Sequence, residues 1–272
     1  MELLAAIDAG ASARPVLDAA VAFATAIGAT VRAVHVTEDG ADTPIRLAEE
    51  RGVPLTLLHG DECDALLAEL RREDVAACVA GTHGTLTDRP VGHVATQLLE
   101  GSSKPVLVVP FEPRLRPLRR VLVPIEGSVE SVEPVPGLLR PVLEQGLEVV
   151  AVHVLTSGTA PAMLDHPDWG LEPWGSEFLE RYLPEASDID LRTGPVGRHI
   201  VAAAENAEAD MVVLTWSRVL SAGRATVVRE VLEHCSVPIL LVPLDPDDPD
   251  ADALDGVAER SVSRARPGSA DR

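Results

Sequence analysis

Four residue types gather around one short stretch of the chain, and their spacing suggests a cradle for an anion. Gly81, Thr82, His83 and Gly84 follow an apolar run ending at Ala80, and Gly92, His93 and Val94 open the next amphipathic segment. Glycines let a backbone approach a phosphate closely, and the N–H groups of a helix start at 92–95 would point outward with the helix dipole favouring negative charge. Asp8, at the end of the first apolar run, could accept hydrogen bonds from a ribose; Val36 ends the second run beside it. His93 could add a donor that weakens as pH rises. The same glycines could also do no more than make a tight strand-to-helix turn.

No other constellation carries chemistry. His35 and His153 sit in mid-strand and read as packing residues, and no two histidines share a helix face at metal-ligating spacing. Ser12 and Ser128 read as helix N-caps, as does Asp61. No Ser/His/Asp arrangement surrounds the serines, so no catalytic residues are assigned and the chain is read as a non-enzyme. Lys104 is the single lysine and lacks the frame of a Walker-type loop.

The elements that must position these residues occur twice. Ala33-Val34-His35-Val36 recurs as Ala151-Val152-His153-Val154, Ile7-Asp8 as Ile125-Glu126, and Pro105–Pro110 as Pro238–Pro243. In copy one, short apolar strands near 3–7, 31–36, 53–58, 75–80 and 105–109 alternate with helical patterns near 12–27, 62–72 and 91–100. Copy two gives strands near 120–125, 147–154, 187–192, 210–215 and 237–242. Continuously apolar strands alternating with helices imply a parallel sheet covered on both faces. The expected fold is α/β: two tandem flavodoxin-like doubly wound domains, each a five-stranded parallel sheet of order 3-2-1-4-5. The boundaries are 1–110, a linker at 111–118, 119–244, and a disordered acidic and Arg/Ser-rich tail at 245–272. In that order the ligand crevice falls between the ends of strands 1 and 4.

The copies differ where chemistry is expected. Copy two carries Thr215-Trp216-Ser217-Arg218 in place of the glycines, and Trp216 and Arg218 would obstruct the backbone approach. Pro134, Pro136 and Pro141 interrupt its first helical region. Its extra segment, from Ser157 to about Pro184, holds Phe178 and Tyr182 at helical spacing, read as one packing face, with a lid built on Trp169 and Trp174 as the alternative.

These motifs resemble the universal stress protein family, here as a tandem pair spanning 1–110 and 119–243. The resemblance rests on Asp8, the repeated Ala-Val-His-Val strands, and the glycine motif followed by Pro-Val-Leu-Val-Val. It implies a cytoplasmic, non-enzymatic stress-response module. A subset of that family binds ATP through G-x2-G-x9-G-S/T, so ATP with Mg is the implied ligand; copy one departs from the pattern, with a connector two residues short and His93 replacing the hydroxyl residue. It also implies pairing of last strands edge to edge, within the chain or in a homodimer, at Val106–Val109 and Ile239–Val242, together with a protein partner of unknown kind. Two other readings stand beside it: a ligand-free structural pseudo-dimer, and an ATP-cleaving enzyme.

Composition narrows the partners. The chain has 272 residues and a formal net charge of −20, spread over both copies. That disfavours nucleic acid, which requires a basic face to displace counterions. Cys63, Cys78 and Cys235 are odd in number and far apart, which suits a reduced compartment. No apolar run is long enough for a membrane span.

Overall fold

The computed structural model describes residues 1–37, 41–82, 91–127, 140, 143–156, 171–220 and 225–244. Copy one runs β1 (Glu2–Ala6), α1 (Ala13–Ile27), β2 (Thr30–Val36), α2 (Asp42–Arg51), β3 (Leu55–Leu58), α3 (Glu62–Leu70), β4 (Val75–Gly81), α4 (His93–Gly101) and β5 (Val106–Val109). Copy two follows with β6 (Arg120–Pro124), β7 (Glu148–Leu155), α5 (Leu171–Tyr182), β8 (Asp188–Thr193), α6 (Val196–Asn206), β9 (Met211–Trp216), α7 (Thr226–His234) and β10 (Ile239–Pro243). The strand order is β3-β2-β1-β4-β5-β10-β9-β6-β7-β8. Each half therefore has the expected 3-2-1-4-5 order, with parallel neighbours inside each half.

The halves do not form two separate sheets. β5 and β10 pair antiparallel, with Val106 opposite Leu241, Leu107 opposite Leu240 and Val108 opposite Ile239, so ten strands make one sheet. Val106–Val109 and Ile239–Val242 are wholly buried, because each strand would otherwise present an open apolar edge. Alternation of side chains along the strands splits the core into two layers. Leu4, Cys78, Val106, Val212 and Ile239 face one layer; Leu3, Val79, Leu107, Val213 and Leu240 face the other. Both layers run through the seam, so each hydrophobic core is shared by the two copies.

Local signals explain most helix limits. α1 buries Val16, Leu17, Ala20, Phe23 and Ala24, and stops at Gly28, whose φ of 66° is the left-handed C-cap conformation that glycine adopts freely. Asp61 caps α3 as expected, accepting from the N–H groups of Cys63 and Asp64, both at 3.0 Å. Ser12 does not cap α1: its hydroxyl turns away to Asp8, 3.1 Å from each carboxylate oxygen. α2 is an element that the hydrophobic pattern did not show. It buries only Pro44, Leu47 and Ala48, too narrow a stripe for periodicity to reveal, although Pro44 in its first turn and Gly52 at its end (φ 63°) carry the punctuation of a helix. The proline-interrupted region at 134–141 lies almost wholly outside the described residues, as do Ser128, Trp169 and the tail at 245–272.

The extra segment of copy two delivers α5 as a packing helix. Phe178 is buried, lies 4.6 Å from the His153 ring and 4.8 Å from Trp174, and continues to Tyr182 at 4.7 Å. Trp174 is thus part of an aromatic stack, not a free lid. Two of the arginines around the linker pair within the protein: Arg120 with Glu148 at 2.7 Å and Arg116 with Glu208 at 3.9 Å.

The repeated histidines have one job in both copies. His35 Nδ1 lies 2.9 Å from Ile7 O, and His153 Nδ1 lies 2.7 Å from Ile125 O. Nδ1 must carry the proton to donate to a carbonyl, and the bond fixes the chain where it leaves the first strand of each copy. His153 is 1% exposed, and its Nε2 is buried without a partner among the described residues. Burial lowers its pKa, opposed by the bond to Ile125. Between the folded pKa and the unfolded value of about 6.5, the unfolded chain binds the extra proton, so this contribution is complete above about pH 6.5 and is lost as pH falls through the folded pKa. The urea midpoint should therefore drop on acidification from pH 7 to 5, and His153→Gln, which keeps a donor for Ile125, should flatten that drop. An unaltered acid slope in the variant would assign the effect elsewhere.

Candidate functional site

A cavity of about 530 Å³ opens in copy one at the carboxyl ends of β1, β2 and β4, against the first turns of α1, α3 and α4. This is where strand order reverses, since β1 feeds β2 on one side while β4 lies on the other. The volume suits a small-molecule site. Val34, Val36, Leu66, Val94 and Leu98 supply apolar wall, and Asp8, Thr82, Glu62, His93 and the backbone at Gly81 and Gly92 supply polar groups.

The backbone builds the polar end. β4 delivers Gly81 opposite Val109, and Thr82 continues the pairing by donating its N–H to Val109 O at 2.9 Å. The chain then returns so that Gly92 N–H donates to Thr82 O at 2.6 Å. Gly92 caps α4 with φ −65° and ψ 167°, a conformation open to any residue, so the turn itself does not demand glycine here. The first intrahelical bond of α4 is Thr96 N–H to Gly92 O, 2.9 Å. The amides of His93, Val94 and Ala95 precede it and lie at the cavity end of the helix. Thr82 is 3% exposed and lines the cavity.

Asp8 is held by its own turn. Its Oδ1 accepts from Gly10 N–H at 2.9 Å and both oxygens lie 3.1 Å from Ser12 Oγ. The bond from His35 to Ile7 O fixes the preceding residue, so the carboxylate is pre-positioned at the rim. Glu62, the first residue of α3, is a lining residue that the sequence pattern did not identify. Desolvation raises its pKa, Asp8 and Asp61 add to the rise, and His35 and His93 oppose it. The available signal was its position directly after the Asp61 cap at the end of the third strand, beside the crevice of a doubly wound sheet.

Of the residues singled out from the sequence, Asp8, Val36, Gly81, Thr82, Gly92, His93 and Val94 all line this one cavity. His83 and Gly84 lie outside the described residues, as do Asp88 and Arg89. Among the described residues no group of three or more His, Cys, Asp or Glu could hold a metal ion, and the three cysteines are free thiols. Burial pushes the Cys78 thiol up to about 12, which makes it a core residue and not a nucleophile.

Copy two fills the equivalent position. The registers of β4 with β5 and of β9 with β10 set Trp216 where copy one has Thr82. Trp216 is 4% exposed and belongs to the core layer that also holds Val152, Val154, Leu220, Ala225 and Val228. Arg218 is not an obstruction over that site as its size suggested. It adopts φ 62° and reaches copy one, donating to Ser102 O at 3.3 Å. Leu220 N–H likewise donates to Glu100 at 2.9 Å. The segment that carries glycines in copy one has become, in copy two, a plug and a strap across the two halves.

Fold and site together define a tandem doubly wound α/β protein with an open crevice in copy one and a buried Trp216 at the matching position of copy two. Residues 117–243 match the family described as the Universal stress protein family, and the first copy repeats the strand order of this second copy. A universal stress protein from Archaeoglobus fulgidus superposes with a TM-score of 0.64 at 17% identity, covering 91% of this chain and 97% of the other. A protein of Pseudomonas aeruginosa UCBPP-PA14, assigned provisionally as a universal stress protein, gives 0.60 at 14% identity, covering 96% and 97%. These likenesses concern the fold. The search of curated proteins found no match. No helix among the described residues is long and apolar enough to cross a membrane.

Proposed function

We propose that this tandem universal stress protein acts in the stress response as a cytoplasmic, non-enzymatic module that binds one adenine nucleotide, in copy one. The observation that carries the reading is the contrast between the open 530 Å³ cavity bordered by Asp8, Thr82 and the α4 amides and its counterpart plugged by Trp216. The apolar wall suits a base, the Asp8 carboxylate suits ribose hydroxyls, and the helix start suits a phosphate. The family resemblance supplies the adenine. ATP with Mg is the ligand that resemblance names, and the residues present offer it main-chain donors but no side-chain cation among those lining the cavity, save His93 when protonated. The family resemblance supplies the expectation of binding without turnover.

Titration calorimetry of the full chain, stripped of co-purified small molecules by unfolding and refolding, tests this. The wild type should bind an adenine nucleotide saturably without releasing phosphate. Asp8→Ala should weaken binding about ten- to hundredfold, the range for a hydrogen bond to a charged group, while circular dichroism shows the fold intact. Absence of heat with every adenine nucleotide at millimolar concentration would remove the reading, and sustained phosphate release would replace it with an enzyme.

A further inference from the structure

Copy two reaches copy one through the residues that follow β9, and they land on the helix that lines the cavity. Leu220 N–H donates to Glu100 Oε1 at 2.9 Å, and Arg218 Nη1 donates to Ser102 O at 3.3 Å. Glu100 sits in the last turn of α4, and Ser102 is its C-cap. A cation at that end also complements the helix dipole. The opposite end of the same helix meets the cavity, where His93, Val94, Ala95 and Leu98 are lining residues. The link continues into copy two, since Arg229 of α7 donates to Leu220 O at 2.9 Å. Arg218 keeps a left-handed backbone, φ 62°, a conformation that a non-glycine residue retains only where its surroundings hold it there.

We infer that Glu100, with Arg218 and Leu220 of copy two, positions α4 and through it the nucleotide site of copy one, so that copy two tunes a site to which it contributes no lining residue. The inference rests on the nucleotide reading above. None of the three lines the cavity, so they are positioning residues. Within copy one, α4 is located by apolar packing: Ala95, Leu98 and Leu99 are buried, and Gly101 lies so close to α3 that a Cβ there would come within 2.9 Å of Leu67. Apolar contacts are not directional, whereas hydrogen bonds are, and the two bonds from copy two fix where the helix sits along its axis. The helix has nine residues, a rod of roughly 13 Å, so a shift at Glu100 is passed to the amides at 93–95. Binding geometry has to be held to within about 0.5 Å, which makes such a shift felt by a ligand.

The test is calorimetry with AMP and with ATP on the full chain, comparing the wild type with Glu100→Ala, Glu100→Gln and Arg218→Gly. Glu100 is an exposed residue, so its truncation leaves the core intact, and Gln keeps an oxygen to accept from Leu220 N–H. Glycine takes the φ of 62° at position 218 freely, so Arg218→Gly removes the guanidinium without straining the backbone. Glu100→Ala and Arg218→Gly should each weaken binding about five- to tenfold, the lower range for coupling between separate sites, with circular dichroism unchanged. Glu100→Gln should stay within about twofold of the wild type. Coupling is reciprocal, so saturating nucleotide should slow hydrogen exchange at the Leu220 amide of the wild type by a similar factor. Wild-type affinity in both Glu100→Ala and Arg218→Gly, or Leu220 exchange that bound nucleotide leaves unchanged, overturns the positioning role and leaves the nucleotide reading standing. A wild type that gives no heat with either nucleotide overturns the two together.

Discussion

Leu240→Asp should cost more than about 4 kcal/mol and break the cooperativity of unfolding. Leu240 is 0% exposed and faces Leu107, at 1%, across the only antiparallel pairing among the described strands. Both side chains lie in a core layer that continues from copy one into copy two. A carboxylate placed there has no partner and must be buried either charged or protonated, each at a cost. The control Leu240→Ala removes apolar volume alone and should cost about 2–5 kcal/mol. Urea unfolding followed by circular dichroism reads both. The wild type should melt as one unit because its cores are shared, and the Asp variant should show two transitions, one for each half. A single transition with an unmoved midpoint would show that the seam contributes little and that the halves fold independently.

Trp216→Ala should lower stability by about 3–5 kcal/mol, the cost of emptying a large aromatic site in a packed core. Trp216 is 4% exposed, ends β9 beside Pro243 of β10, and accepts the N–H of Leu244 on its carbonyl at 2.9 Å. Leu220, in the same core layer, ties copy two to Glu100 through its N–H. For a chain of this size the midpoint temperature should fall by roughly 10 °C. A loss below about 1.5 kcal/mol would mean that the position tolerates collapse and that Trp216 is not what closes copy two.

Much of the fold was legible because fully buried parallel strands must be apolar on both faces. The runs at Val75–Gly81 and Ile239–Pro243 could hardly be anything else in an alternating pattern. The repeat of Ala-Val-His-Val was visible too, but its meaning was not: a histidine that reads as packing turns out to bind the carbonyl next to Asp8 or Glu126, a contact 28 residues away in sequence. The seam was legible only as an apolar edge in need of cover, since residue types at Val106–Val109 say nothing of which strand provides it. α2 escaped because three buried residues make too faint a stripe.

The site was legible where glycines and a strand-end acid mark a backbone approach, and Asp8, Gly81 and Gly92 do meet at one cavity. Glu62 was not, because its role depends on where α3 begins relative to β1 and β4, which no local pattern states. The bulk of Trp216 pointed to a filled position in copy two, and the side chain is buried there, whereas Arg218 misled: side-chain size does not tell direction, and this one extends to the other half.

Copy one has the open cavity and copy two has Trp216 at the matching position, a contrast that binding stoichiometry on the full chain reads out. Calorimetry with AMP should give one equivalent per chain, and Thr82→Trp, which sets in copy one the residue that copy two carries on the same strand of the same fold, should abolish binding without unfolding the protein. Two equivalents per chain, or unchanged affinity in Thr82→Trp, would contradict the claim.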